Sequence, residues 1–431
     1  MIKNTIYVYL IIIATSNILF GCNSRNERVS NTKPNNKKDN YTTKIEDKKI
    51  GRVTFFLENS GSMFGYVDGT SGITEFVDVV SELAEKPDFV NDKTLRDFYF
   101  INGIDLQITP LGNNPQVLIR KLNRVGYNCG SVSNSNLNSM FQKAMSVAGG
   151  ENVSVLISDG IYDVGAKSAP FAALAIEGRE TRSRFIERLK KSNLQTILIK
   201  LKSKFKGDYC FASRPGSSPI NQQRPYYIWL FGESILLNKY FSDSYITEKL
   251  KGYENYARFL IINENAIPFQ IVSSFNRKGT FKLDRQIKNK IIDVKPDRKG
   301  QGFQFAVAVD FSSLPFSDSY LTSISNYDCN LNYKPVKIER IEANQKFEIT
   351  TFKNPTHIIT VSTDKNPYGN LEIVLKNEIP NWIKETDIDN ETHIDSYHTF
   401  GFKFLTNAIS EAYAYKNNGK NIASFKIEIS K

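Results

Sequence analysis

Residues 50–265 alternate short apolar runs with segments of helical periodicity, and this alternation constrains the fold more than any other feature of the chain. The runs RVTFFLE, RDFYFIN, NVSVLIS, LQTILIKL and PYYIWLFG have the length and composition of strands. Strands that alternate with amphipathic helices indicate crossover connections and helices on both faces of the sheet. We therefore predict an α/β domain over residues 50–265, built on a doubly wound, mostly parallel sheet.

Three helical segments lie between these strands. The first, GITEFVDVVSELAEK, places these residues on one face: Ile73, Phe76, Val77, Val80, Leu83 and Ala84. The second, NLNSMFQKAMSVA, does the same for Leu137, Met140, Phe141, Ala144 and Met145. The third is a long helix around ETRSRFIERLKKS.

From residue 266 to 431 the pattern changes to short strands separated by turn residues. The predicted strands are PFQIVSSF, FQFAVAVDF, KFEITTF, HIITVST, NLEIVLK and ASFKIEIS. One late helix, FGFKFLTNAISEAYAY, interrupts them, with Phe402, Phe404, Leu405, Ile409 and Ala412 apolar. We predict a β-rich, sandwich-like domain over residues 266–431.

The amino terminus has the features of an export signal. A lysine precedes an apolar stretch that is too short and too interrupted to span a bilayer. Its Leu-x-Gly-Cys ending resembles the lipobox of bacterial lipoproteins, which implies a signal peptide over residues 1–21 and lipidation, such as palmitoylation, of Cys22. An uncleaved anchor is the alternative, and it would leave the protein on the same membrane. Residues 22–49 are polar enough to form a disordered tether. The resemblance implies a lipid-anchored protein of the bacterial cell envelope, with the outer membrane or cell surface favoured over the inner membrane.

Charge and cysteine content exclude some other classes. The formal charge of +11 is spread along the chain among interleaved acids, which argues against a nucleic-acid groove. Attraction to anionic lipids and plain compositional bias both account for it. Cys129, Cys210 and Cys329 indicate neither a disulfide framework nor a zinc knuckle. A single bridge from Cys129 to Cys210 and free thiols both remain open.

Oxygen-bearing side chains follow two of the predicted strands. ENSGSM leaves the first strand and SDG leaves the strand VSVLI, so both loops lie where open α/β sheets bind ligands. Glu58, Ser60 and Ser62 occupy alternate positions of a loop that can turn sharply at its glycine, so their side chains can point toward one position. Hard oxygen donors suit Mg²⁺, Mn²⁺ or Ca²⁺ and do not suit zinc.

These residues resemble the metal-ion-dependent adhesion site of von Willebrand factor A domains. ENSGSM matches the first element of that site, with Glu in place of Asp. SNLNSMF matches the second and puts Ser135 at a threonine position, with Ser133 as the rival. Asp159 matches the last element. The resemblance covers residues 50–265 and implies that the metal ligands are Glu58, Ser60, Ser62, Ser135 and Asp159.

In that family an acidic side chain of a protein partner completes the metal coordination. Carried over, this implies a cation-dependent protein-binding function and a partner-binding rim formed by Asn59, Met63, Phe64 and Tyr66. Packing of Phe64 and Tyr66 against the first helix is the alternative. Segments of the second half resemble uncharacterised bacterial lipoproteins in which a β-rich domain follows an A domain, and no activity comes with that likeness.

Other functions stay open. One alternative is a structural or assembly subunit in which Glu58 and the serines only cap a turn and bond each other. Another is a hydrolase with its active site in the β-rich domain. A metal site formed by His393 and His398 with Glu391 and Asp395 lacks helical ligand spacing, and we expect these side chains to be solvated on a loop.

Overall fold

The structure, a computed structural model, describes residues 48–68, 72–165, 169–262, 266–297, 302–345 and 347–431. The predicted signal peptide, Cys22 and nearly all of the predicted tether lie outside these residues. Among the residues described, no helix is both long and apolar enough to cross a membrane.

A seven-stranded mixed sheet forms the first half of the chain. Its strands are β1 (Arg52–Glu58), β2 (Leu95–Asn102), β3 (Gln107–Gly112), β4 (Asn152–Ser158), β5 (Gln195–Cys210), β6 (Ser217–Gly232) and β7 (Tyr253–Phe259). They lie in the order β3-β2-β1-β4-β6-β5-β7. β1 pairs in parallel with β2 and β4, and the other pairings are antiparallel, so β1, β2, β4 and β5 share one direction. The predicted α/β class, with most strands running one way, is confirmed.

Helices cover both faces of this sheet. They are α1 (Phe64–Val67), α2 (Glu75–Ala84), α3 (Pro87–Asn91), α4 (Pro115–Lys121), α5 (Arg124–Tyr127), α6 (Leu137–Val147), α7 (Pro170–Lys191), α8 (Ser234–Tyr240) and α9 (Asp243–Lys249). One buried cluster packs α2 to α5, α8 and α9 against one face, and a second packs α6 and α7 against the other. The central strands β1 and β4 are buried on both faces, which explains their unbroken apolar sequences.

The predicted helical faces agree with the burial except at the start of α2. All five residues of the second stripe are buried on α6. Ile73, in contrast, is 72% exposed, because Thr74 caps the helix and leaves Ile73 outside it.

A long hairpin replaces a crossover in the second half of this sheet. The predicted strands LQTILIKL and PYYIWLFG belong to β5 and β6, respectively. These two strands pair antiparallel along their whole length, with Gln195 opposite Gly232 at one end and Cys210 opposite Ser217 at the other. Their inner halves are buried in the sheet, whereas exposed and buried residues alternate toward the tip. The apolar runs show only the inner halves, so the sequence does not reveal that the two strands meet at a distant turn.

The second half of the chain contains two further sheets. Their strands are β8 (Phe269–Val272), β9 (Thr280–Leu283), β10 (Lys290–Lys295), β11 (Phe303–Val309), β12 (Tyr327–Cys329), β13 (Lys334–Arg340), β14 (His357–Thr363), β15 (Gly369–Leu375) and β18 (Ala423–Ile429). The orders are β12-β15-β18-β10-β9 and β13-β14-β11-β8, with one parallel pair, β10 with β18. Side chains of both sheets share one buried cluster, as in a sandwich. The β-rich prediction is thus confirmed.

KFEITTF was wrongly predicted as a strand. Residues 347–352 pair with no strand, and Phe347, Ile349 and Phe352 pack on the outer face of the four-stranded sheet. Their alternation resembles a strand because alternate side chains turn toward that face.

The late helix packs on the first sheet and not in the sandwich. This part of the chain contains α10 (Asp318–Leu321), α11 (Asn381–Thr386), the short parallel pair β16 (Asp387–Ile388) and β17 (Thr399–Phe400), and α12 (Phe402–Lys416). Phe402, Leu405 and Ile409 join the buried cluster that also holds residues of β4 and α7. A domain boundary at residue 265 therefore separates the first sheet from the later sheets, but it divides the buried cluster that contains residues of both the first sheet and α12.

Candidate functional site

Two carboxylates lie at the ends of adjacent parallel strands. Glu58 is the last residue of β1, and Asp159 follows the last residue of β4. Leu57 is paired with Ile157, so the two acids come off neighbouring positions of one sheet edge. Both side chains are almost fully buried. The sequence prediction that these two residues share one site agrees with this placement.

Serine hydroxyls surround the two acids. Ser60 Oγ donates a hydrogen bond to Glu58 Oε1 at 2.7 Å and lies 3.1 Å from Ser62 Oγ. Ser158 and Ser135 also hydrogen-bond the Glu58 carboxylate, and Ser62 hydrogen-bonds that of Asp159. All five predicted ligand residues are therefore brought together, and Ser158 is an additional member.

Ser135 occupies the position that the sequence left open between two serines. A β-bridge joins Ser135 to Gly103, directly after β2, and this holds the hydroxyl beside Glu58. Ser133 is exposed and lies only in the wall of the cleft.

Burial and charge strongly perturb both acids. Burial and the nearby charge of Asp159 raise the pKa of Glu58 to about 7. Burial also raises the pKa of Asp159, against hydrogen bonds from Ser62 and the Ile161 N–H and the charge of Arg224. Two close carboxylates in a dry environment cannot both ionise unless a proton or a cation compensates them.

The loop after Asp159 requires its glycine. Gly160 has φ +71°, and a Cβ there would lie 2.8 Å from Tyr227 Cδ2. Ser158 Oγ accepts a hydrogen bond from the Gly160 N–H at 2.9 Å. This tight turn keeps the Asp159 carboxylate at the end of its strand.

Three of the four residues predicted to form the partner-binding rim are buried, so that prediction is wrong. Asn59 is fully buried and donates to the backbone oxygens of Tyr127 and Cys129, at 2.9 and 2.8 Å. It therefore holds the loop that carries Ser135 and contacts no solvent. Met63 is also fully buried in the core.

The aromatic members of that rim also point inward. Tyr66 is 1% exposed, stacks on Phe76 of α2, and donates a hydrogen bond to the Pro225 carbonyl. Phe64 is half-buried and packs edge-on against Tyr127. The alternative interpretation, packing against the first helix, is correct for Tyr66, since the apolar core continues beyond the site loop.

The site opens into a cleft of about 210 Å³. Its walls combine the site loops with Asn134, Asp163 and the residues Cys210, Phe211 and Ala212 at the tip of the β5–β6 hairpin. The guanidinium of Arg214 stacks on the Phe211 ring at 3.8 Å, which adds a positive charge to this wall. Hairpin residues thus face the ends of β1 and β4 across the cleft.

A carboxylate from the far end of the chain fixes this hairpin wall. Glu391 is buried and accepts hydrogen bonds from Tyr209 Oη at 2.8 Å, Ala212 N at 3.0 Å and Ser213 N at 2.7 Å. The Ser213 hydroxyl donates a fourth bond. Residues 209–213 therefore take their shape from a residue in the second half of the chain.

Neighbouring backbone groups of the same segment bind the hairpin strands. Gln222 Nε2 donates to Ile394 O at 2.7 Å, and Arg224 Nη1 donates to Asp395 O at 2.6 Å. No sequence pattern pointed to Arg224, and Glu391 drew attention only as a possible metal ligand on a solvated loop, whereas Glu391 is buried against the hairpin.

The histidine alternative does not form a metal cluster. His398 Nδ1 lies 2.6 Å from Asp395 Oδ2, whereas Glu391 is committed to the hairpin. Within the described ranges, no three His, Cys, Asp or Glu side chains converge on a point where they could hold a metal. Cys129, Cys210 and Cys329 are free thiols, so the possible bridge from Cys129 to Cys210 is not formed.

The donor set fits a hard cation. Two carboxylates and the hydroxyls of Ser60, Ser62 and Ser135 offer only oxygen, which is the chemistry that Mg²⁺, Mn²⁺ or Ca²⁺ requires. A bound cation would offset the like-charge repulsion between the Glu58 and Asp159 carboxylates.

Neither kind of comparison with known proteins gives a relative. No model of a known protein family matches this chain. No curated protein matches it either.

Proposed function

We propose that this protein binds a protein partner through a divalent cation held by Glu58, Ser60, Ser62, Ser135 and Asp159. The observation that carries the proposal is the pair of buried carboxylates at adjacent strand ends, with raised pKa values and only oxygen donors around them. A divalent ion would remove the repulsion that burial makes costly.

The A-domain resemblance supports the same function. Its elements require oxygen donors after the first strand, in a later loop and after the central strand. Here β1, the loop before α6 and β4 supply them at one edge of the sheet. In such a domain the cation keeps a coordination position for an acidic side chain of the partner.

The wall of the cleft carries one acid besides the site, Asp163, and has one arginine beside it. Arg214, stacked on Phe211, places a positive charge at the wall. Because the originally predicted rim is buried, the partner would instead contact the hairpin tip and the exposed residues Ser133 and Asn134. The lipid anchor at Cys22, on a bacterial membrane, and the tether over residues 22–49 belong to this proposal.

The test is calorimetric titration of the protein with Mg²⁺ and Mn²⁺. We expect saturable binding of one ion, and its loss in Asp159→Asn, because the variant keeps the side-chain shape and removes a charged ligand. Asp105→Ala is the matched control, since Asp105 is exposed at the same end of the sheet.

Absence of binding by either ion would contradict the proposal and favour the scaffold alternative. One observation supports that alternative, because Ser60 hydrogen-bonds Glu58 and its Oγ lies 3.1 Å from Ser62 Oγ, so these side chains can satisfy one another. In a cation-dependent adhesion protein, EDTA must also release any captured partner.

A further inference from the structure

A second cavity, of about 210 Å³, lies along the outer edge of β7. We call it the β7 cavity. It is bounded by residues 255–259 of β7, by the segment from Phe316 to Asn326 and by the segment from Asn377 to Trp382. It shares no lining residue with the cleft at Asp159. The β7 cavity is therefore separate from the proposed cation site.

The main chain of β7 faces this cavity. Five consecutive residues, 255–259, line it, although successive side chains of a strand point to opposite faces. The feature that they share is the strand edge. β7 pairs with β5 on one side only, and among the described residues no hydrogen bond joins the other edge to a further strand. Backbone donors and acceptors are thus available to a ligand.

Amide side chains add further hydrogen-bond donors and acceptors to the lining. Asn255, Asn377 and Asn381 line the cavity, and their side chains make no hydrogen bond in the part of the chain that the structure describes. Each primary amide can donate and accept at the same time. This lining suits a ligand whose own polar groups are both donors and acceptors.

The charged residues of the lining are already neutralised. Arg258 is held by Asn238 Oδ1 at 2.9 Å, the Phe241 carbonyl at 2.9 Å and Asp243 Oδ1 at 3.1 Å. Glu378 pairs with Lys376 at 3.1 Å. Each charged group has a partner of opposite charge, so an ionic ligand is not required to neutralise either one.

Aromatic side chains supply the apolar part of the cavity. Phe316 and Tyr320 stack with ring centroids 5.0 Å apart, and Tyr256 and Trp382 also contribute to the lining. Flat apolar surface beside unpaired amides matches a sugar ring, which has an apolar C–H face and a hydroxylated perimeter.

We propose that the β7 cavity binds an N-acetylhexosamine unit of a saccharide. The acetamido group of this sugar carries one N–H donor and one C=O acceptor that point in opposite directions, so one of them pairs with the strand edge and the other with an asparagine amide on another segment of the lining. Its methyl and the ring C–H face contact the aromatic wall, and its hydroxyls meet the free asparagine amides. A sugar with a hydroxyl in place of the acetamido group cannot bridge the strand edge and an asparagine in this way and has no methyl for the aromatic wall.

The test is titration of the protein with N-acetylglucosamine and with glucose, followed by saturation-transfer NMR and calorimetry. We expect N-acetylglucosamine to bind about tenfold or more tightly than glucose, because glucose has a hydroxyl in place of the acetamido group and loses the amide pairing and the methyl contact. Equal affinities for the two sugars, or no binding of either, would overturn the proposal.

Two variants locate the site. Ser319→Trp fills the cavity, and we expect it to abolish saccharide binding. Ser325→Trp is the matched control, because Ser325 is also an exposed serine, with its Oγ 2.9 Å from the serine two residues earlier, but it does not line the cavity. Should Ser319→Trp not fold, Asn381→Ala removes one free amide and must weaken N-acetylglucosamine binding about tenfold.

A peptide is the competing occupant, and the same titration distinguishes it. N-acetyl-alanine methylamide has two amides and no sugar ring. If it binds and N-acetylglucosamine does not, the cavity recognises peptide and the proposal fails. Undiminished sugar binding by a folded Ser319→Trp variant would also overturn it, since the sugar would then bind elsewhere.

Discussion

Glu58 is the residue at which burial, charge and hydrogen bonding compete most directly. It is 1% exposed, lies next to Asp159 and receives a hydrogen bond from Ser60. A glutamate at this position carries one more methylene than the aspartate of the adhesion-site pattern. The side chain nevertheless stays within reach of hydroxyls on three separate segments, at Ser60, Ser135 and Ser158.

Metal-free stability depends on the ionisation of Glu58. Its pKa is raised from 4.5 to about 7, so the folded state holds a proton more tightly than the unfolded chain. This stabilisation is complete below pH 4.5 and is lost as the pH rises through about 7.

We expect Glu58→Gln to stabilise the protein in EDTA at pH 8, by about 3 kcal/mol at most, and to change little at pH 4. Glutamine keeps an acceptor for Ser60 and removes the like charge. Urea unfolding at several pH values measures this difference. Glu187→Gln, at an exposed position of α7, is the control and must keep the pH dependence of the wild type. If Glu58→Gln also keeps the wild-type pH dependence of the unfolding free energy, the ionisation of Glu58 does not cause that dependence.

The sequence reveals the strand ends of this site but not its walls. Glu58 and Asp159 could be predicted because each follows an unbroken apolar strand, and parallel strands deliver such residues to one edge. Phe64 and Tyr66 were misplaced because aromatic residues beside a site loop suit a contact surface as well as a core. Arg224 and the hairpin contact of Glu391 were missed because tertiary packing alone brings these residues together with the hairpin.

At the scale of elements, the β5–β6 hairpin is the part that changes the surroundings of the site. Its strands begin inside the sheet and end at a tip that lines the cleft. Ala212 of the tip packs in one buried cluster of the sheet, and Glu391 accepts the hydrogen bonds of three tip residues. The hairpin wall is therefore held by a polar contact with a distant segment.

We expect Glu391→Gln to loosen the hairpin tip. The amide retains one acceptor oxygen but points N–H groups at donors, so buried donors lose their partner, which costs about 1–3 kcal/mol. Hydrogen exchange of the Ala212 and Ser213 amides should accelerate by about tenfold or more, because the loss of their acceptor makes local opening of the tip easier. Asp389→Asn, an exposed acid two residues earlier, serves as the control. Unchanged exchange at both amides would mean that the tip is held by other contacts.

At the scale of the whole molecule, the two halves of the chain share a core. Phe402, Leu405 and Ile409 are fully buried in the cluster that also contains Leu156 and Trp229 of the first sheet. Tyr413, which also lies on α12, donates a hydrogen bond from its Oη to the Leu194 carbonyl at 3.1 Å. The periodicity of α12 predicted its apolar face correctly, but a periodic stripe does not say which surface covers it.

We expect a fragment of residues 48–265 to lack a cooperative unfolding transition. Three large apolar side chains of α12 stabilise the sheet by roughly 1.5–3 kcal/mol each, and their sum is comparable with the stability of a whole domain. Linking residues 381–416 to the fragment through a flexible spacer should restore the transition. Circular dichroism during heating measures both. A fragment that melts cooperatively at the temperature of the full chain would refute this.

The position of α12 in the chain also determines when the first sheet can finish folding. Part of the face on which α6 and α7 pack stays exposed until a helix near the carboxyl terminus has been synthesised, and exposed apolar surface invites aggregation and chaperone binding. Contacts of such large sequence separation also form slowly. The chain must therefore emerge almost completely before its amino-terminal half becomes native, which favours folding after synthesis and any export are finished.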